Sequence, residues 1–170
     1  MRPLTLVLFL LASPAFAADW TVGPAPSDDP AMTAATVMNA DGHALFLWSR
    51  EVDHRYQLFV EFHLGRGETF GEQMPTYRID GGEAVDTDVI RQEGESLGAL
   101  WGHVGGDTAF WLAWTSIQNS ILPSDKFARW FTGKEIEITY EGPDATSKTT
   151  RFSLTGLAAA VHAGTGLETP

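Results

Sequence analysis

The chain has 170 residues and a formal net charge of −11, from 11 Lys and Arg against 22 Asp and Glu, and it has no cysteine. Neutralising phosphates needs clustered Lys and Arg, so this balance excludes nucleic acid as an expected partner and disfavours anionic lipid headgroups. The lack of cysteine excludes thiol nucleophiles, thiolate metal sites and disulfide staples, so the fold must rest on a core to which 6 Trp and 10 Phe contribute.

Residues 1–17 read as a secretory signal peptide. Arg2 supplies the positive start, Leu4 to Leu11 an apolar run interrupted only by Thr5, and Ala15-Phe16-Ala17 a small-x-small cleavage site. The mature protein is expected to start near Ala18. This run is too short for a permanent membrane anchor, and no cysteine follows it to take an acyl chain. A periplasmic or secreted protein without a membrane anchor is the expectation.

Residues 18–32, with Pro24, Pro26 and Pro30, predict an extended N-terminal arm anchored by Trp20. A single β-sandwich domain is expected over residues 33–163. Thr33 to Met38 and Ala44 to Ser49 predict two strands joined across Asn39-Ala40-Asp41-Gly42, a turn-forming run. Tyr56, Leu58, Val60, Phe62 and Leu64 alternate with polar residues, the period of a half-buried strand; Phe59 interrupts the polar side, so that side is expected to be partly covered. Thr76 to Asp80 predicts a short strand stopped by Gly81-Gly82, and Glu83 to Ile90 its continuation or return. Leu97 to Val104 predicts another strand. Ala109 to Ile117 fits both periods, and its aromatic and β-branched content favours a strand with Phe110 and Leu112 on one side and Trp111 on the other.

One helix is marked by Ser124 as cap, Asp125 in the first turn and Gly133 as terminator, with Phe127, Trp130 and Phe131 forming an apolar stripe. Ile136, Ile138 and Tyr140 alternate with Glu and Thr, and Thr150, Phe152 and Leu154 alternate on the way back after Gly142-Pro143-Asp144. A short helix from Leu157 to Ala163 closes the domain, and residues 164–170 are expected to fray. The elements sum to a mostly-β fold, an antiparallel β-sandwich or flattened barrel with one or two short helices. The expected core is Phe46, Trp48, Leu58, Val60, Phe62, Ile79, Trp101, Leu112, Ile136, Ile138, Phe152 and Leu154.

No catalytic constellation is visible. The histidines, His43, His54, His63, His103 and His162, form no HExxH or HxH pair, and no serine sits in G-x-S-x-G. The acidic stretch from Asp80 to Glu95, with Asp86 and Asp88 one residue apart and Arg78 and Arg91 among the acids, lacks the glycine and bidentate glutamate of a calcium loop. A solvated acidic turn region is the simpler reading, and a calcium-dependent hydrolase the least favoured. Trp111 is the candidate ligand or partner residue. On a strand it points away from Phe110 and Leu112, and that second apolar face needs a cover: the Phe127/Trp130/Phe131 helix, a partner or a ligand, of which the helix is the economical choice. Neither cofactor nor metal is expected.

Thr76-Tyr77-Arg78-Ile79-Asp80-Gly81-Gly82 resembles a turn of small secreted proteobacterial proteins of the invasion-associated locus B type. Similar Arg-Ile-Asp turns occur in some periplasmic accessory proteins of type VI secretion. Trp20-Thr21-Val22, the Phe131 to Tyr140 step and Phe152-Ser153-Leu154-Thr155-Gly156-Leu157 with Ala160 are similar in the same order. Those proteins commonly carry paired cysteines, which this chain lacks. The resemblance implies an exported, non-enzymatic β-sandwich protein of the cell envelope. Apart from it, the expected partner is another envelope protein or, as the tryptophans suggest, a glycan. Within the turn, Arg78, Asp80, Gly81 and Gly82 are expected to be structural. Asp80 should accept the turn's own N–H groups, and Arg78 should lie over the sheet, paired with a carboxylate.

Overall fold

A computed structural model describes residues 19–52, 55–88, 102–116 and 125–169. In chain order they form β1 (Thr21–Pro24), β2 (Thr33–Met38), β3 (Ala44–Val52), β4 (Arg55–His63), β5 (Thr76–Ile79), β6 (Val85–Asp86), β7 (Gly102–Gly105), β8 (Thr108–Ser116), α1 (Asp125–Ala128), β9 (Glu135–Glu141), β10 (Ser147–Ser153) and α2 (Leu157–Thr165). One sheet has the order β1-β2-β3-β4-β8-β7 and the other β10-β9-β5-β6, with every pairing antiparallel. The protein is therefore mostly β and built as two packed antiparallel sheets, and among the described residues neither sheet closes into a barrel.

Local chemistry sets the hairpins. At the β2–β3 turn Asn39 Oδ1 accepts the N–H groups of Asp41 and His43, both at 3.1 Å, while Gly42 takes φ 80°. Ile79-Asp80-Gly81-Gly82 forms a type I′ turn: Asp80 and Gly81 lie at φ 50° and 68°, and Gly82 N–H bonds to Ile79 O at 2.9 Å. Residues 21–24, within the expected arm, are extended and pair with β2, and Trp20 Nε1–H donates to Ser153 O at 2.8 Å.

The main core lies between the sheets. Leu45, Leu47, Leu58, Val60, Phe62 and Trp111 meet Tyr77, Ile79, Ile136, Ile138 and Phe152 there, each large side chain contributing about 1.5–3 kcal/mol. Phe127 and Trp130 join this core beside α1, and Leu157 and Val161 join it from α2. The helix expected to run to Gly133 stops at Ala128, so Gly133 is not its terminator. A Cβ there would sit 2.4 Å from Ile79 Cγ2 and 2.9 Å from Arg129 O, so only glycine lets this segment close on β5.

Three expectations need correction. Trp111 is 1 % exposed in the main core, while Phe110 lies on the opposite face, so the two faces of β8 are the reverse of the expected assignment. The cause is that β4 and β8 pair so that Trp111 stands opposite Val60 and Phe110 opposite Glu61, a long-range register that local alternation does not encode. Trp48 is buried, but on the outer face of the six-stranded sheet with Ala25, Ala34 and Phe59, and Phe46 is half-buried beside it. The chain after α2 does not fray: Gly166 turns at φ 72°, Leu167 is 1 % exposed, and its N–H bonds to Thr165 Oγ1 at 3.2 Å. Ser124, His54 and the whole stretch from 89 to 101, Trp101 included, lie outside the described residues, as does the side chain of Leu112.

Candidate functional site

On β4, Leu58, Val60 and Phe62 face the core, which turns Phe59, Glu61 and His63 outward. The loop from Ala25 to Met32, closed by Ala25 N–H to Met32 O at 2.9 Å, covers the row formed by Ala34, Trp48 and Phe59. The Trp48 and Phe59 rings stack 4.4 Å apart, and Phe59 stacks in turn on Phe110 at 5.2 Å. These rings therefore present their faces to one another. A sugar platform needs an open ring face, which Trp48 and Phe59, 8 % and 4 % exposed, do not offer.

The next two rows are open. Cross-strand pairing places Thr36, Phe46, Glu61, Phe110 and His103 in one row and Met38, Ala44, His63 and Thr108 in the other. Glu61 is buried at 7 % exposure, and its carboxylate accepts Trp48 Nε1–H on Oε1 and His63 Nε2–H on Oε2, both at 2.8 Å. Burying a carboxylate is tolerable only with such partners. The bond fixes the His63 tautomer and leaves Nδ1 toward Thr108 Oγ1 at 3.5 Å. The Thr108 hydroxyl is closer to Asp107 Oδ1, at 3.1 Å, and donates its proton there, so it is not held as a nucleophile for His63. The arrangement orients an imidazole at the surface, edge-on to Phe46 at 4.9 Å.

A second buried histidine sits at one end of the sandwich. His43 Nδ1 accepts Gly65 N–H at 2.7 Å, which leaves its Nε2–H for the Tyr140 hydroxyl at 3.3 Å; Tyr140 in turn donates to Glu68 Oε2 at 3.2 Å, where Lys148 Nζ also binds at 2.8 Å. The Lys148 hydrogen bond holds Glu68 below the usual carboxylate range. Burial, with the Glu68 charge behind it, pushes the Tyr140 phenol up to about 12. This chain runs from the β2–β3 turn through the loop after β4 to β9 and β10, so its evident work is to tie the two sheets together.

The Arg-Ile-Asp-Gly-Gly turn is anchored differently from expectation. Asp80 Oδ1 accepts the N–H groups of Lys134 and Glu135, both at 2.9 Å, and so pins the turn to the start of β9 rather than to its own backbone. The positive φ at Asp80 turns its carboxylate toward those donors, which hold it below the usual carboxylate range. Arg78 is exposed and donates to Gly82 O at 3.3 Å, a carbonyl rather than the expected carboxylate. Gly81 and Gly82 complete the turn. Trp111, the possible ligand or partner residue, is sealed in the core that Phe127 and Trp130 also join, and presents no surface. In the acidic stretch Asp86 Oδ1 accepts Asp88 N–H at 2.9 Å, and Glu83 is exposed. Arg91, Glu93 and Glu95 lie outside the described residues, among which no three His, Asp or Glu side chains are grouped to hold a metal ion.

Sequence reasoning passed over Glu61 and His63 because a Glu-x-His alternation is what a solvated strand face also shows. The available signal was Phe59, an aromatic on that same face. Comparison with protein-family models, curated proteins and solved structures returns no match for this chain.

Proposed function

We propose that the protein is an exported, non-catalytic binding protein of the bacterial cell envelope, and that it holds another envelope protein on the outer face of its six-stranded sheet. The observation that carries this reading is the composition of the two open rows. In a chain of net charge −11, the acid in those rows is the buried Glu61, and around it stand Met38 at 57 % exposure, half-buried Phe46 and Phe110, His63 and exposed His103. A largely apolar patch whose own acid is buried, on an otherwise acidic surface, fits a protein partner better than solvent. Export rests on the signal-like residues 1–17. The absence of catalysis is supported by Thr108, His43 and Tyr140 being engaged in hydrogen bonds that hold the structure.

Photo-cross-linking in cells tests it. A cross-linking residue at Phe110 should give one reproducible adduct with an envelope protein, while the same residue at Arg151, exposed on the other sheet, should give none. Loss of that adduct on Phe46→Glu would assign it to this face. Recovery of the protein in the cytoplasm, or equal labelling from both positions, would overturn the proposal.

A further inference from the structure

A depression of about 300 Å³ opens between the Ile79–Gly82 turn and the segment after α1, lined by Ile79, Asp80, Gly82, Arg129, Thr132 and Gly133. It lies on the four-stranded sheet's side of the protein, apart from the outer face above, and its floor is made by two glycines. A Cβ on Gly82 would point within 3.5 Å of Arg129 Nη1, and one on Gly133 would collide with Ile79.

Two opposite charges face this space with bonding capacity unused. Both backbone donors that reach Asp80 converge on Oδ1, so Oδ2 carries no hydrogen bond among the described residues. Arg129 is exposed, close enough to act on Asp80 electrostatically, and its guanidinium makes no hydrogen bond or ion pair among the described residues. We propose that this depression binds the zwitterion of a small free α-amino acid, its ammonium on Asp80 Oδ2 and its carboxylate on the Arg129 guanidinium. A bare anion would meet the Asp80 carboxylate and a bare cation would meet Arg129, so each half alone is opposed by the wrong member of the pair. A zwitterion satisfies both, and the guanidinium suits a planar carboxylate. Thr132 adds a hydroxyl at the rim and Ile79 an apolar wall for a small side chain. The backbone N–H groups of Glu135 and Lys134 hold the Asp80 carboxyl below the usual carboxylate range.

The test follows the backbone amides of Gly82 and Gly133 by NMR while alanine, glycine, acetate or methylammonium is added to the whole protein. Alanine and glycine should give saturable shifts at both amides, with acetate and methylammonium weaker by about ten-fold or more. Asp80→Asn keeps an Oδ1 acceptor for Lys134 and Glu135 but replaces the free oxygen by a donor, so it should lose amino-acid binding with the thermal midpoint retained. Arg129→Gln, at an exposed position, gives the same loss independently of Asp80. Acetate binding as tightly as alanine would make this a plain carboxylate site and overturn the proposal. So would the absence of any shift with either amino acid, or full binding by Arg129→Gln.

Discussion

On β4, Phe59 and Glu61 of the outer face are buried almost as fully as Leu58, Val60 and Phe62 of the inner face, and by different means. Inward, Leu58, Val60 and Phe62 meet a second sheet. Outward, Phe59 and Glu61 are covered by neighbouring rings, by one loop and by hydrogen bonds from Trp48 and His63. Equal burial is thus not equal commitment. The inner face is closed by the fold as a whole, whereas over Phe59 the outer face is closed by the single loop between β1 and β2.

The largest effect expected from this difference is at Phe62, whose ring packs edge-on against His43, Phe70, Tyr140 and Phe152. Phe62→Ala should cost about 3–5 kcal/mol in denaturant unfolding. Phe59→Ala, in the ring stack beneath the loop, should cost at least about 1 kcal/mol less, because the loop can settle into the gap. Equal costs would make the outer face a second core and break the comparison.

Next in size is the polar half of the outer face. Glu61→Ala strands the buried Trp48 N–H and the His63 imidazole, and should lower stability by about 1–3 kcal/mol. Glu61→Gln keeps an acceptor for Trp48 and should recover more than half of that loss. If both variants are neutral by the same unfolding measurement, the Glu61 carboxylate does not brace this face.

The smallest effect is graded by pH and belongs to the sealed side. Tyr140 ionises at about 12 in the fold against 10.0 for a free phenol. Its contribution is therefore whole below pH 10.0 and is lost as pH rises toward about 12, since the unfolded chain gives up the proton first. Unfolding midpoints measured across that window should fall, and Tyr140→Phe should make the fall shallower. Some slope should remain, because burial also raises the Tyr77 phenol. An unchanged slope in the variant would show that Tyr140 is open to water.

What was legible in the chain follows this division. Ile136, Ile138 and Tyr140, and likewise Leu58, Val60 and Phe62, alternate cleanly because one side meets the core and period two is a local property. The faces of β8 were not legible. Phe110 and Trp111 are both aromatic, and only pairing with β4 decides which of them points inward. The Asp80-Gly81 turn is plain in the letters, but the donors that Asp80 serves stand 54 and 55 residues further on, and local chemistry carries no trace of them. Glu61 was hidden for a related reason, since its partner Trp48 stands on another strand.

Leu167 has a consequence for the order of events in folding. Trp20 and β1, from the start of the fold, and α2 with Leu167, from its end, close the same edge of the core: α2 packs on β1 and β2, and Thr33 Oγ1 bonds to Gly164 O. Sheet neighbours such as β5 and β9 are likewise far apart in the chain. A nascent or partly threaded chain lacking α2 and Leu167 leaves this edge of the core uncovered. Such topology delays closure until the whole domain has emerged, which makes folding slow and all-or-none rather than progressive.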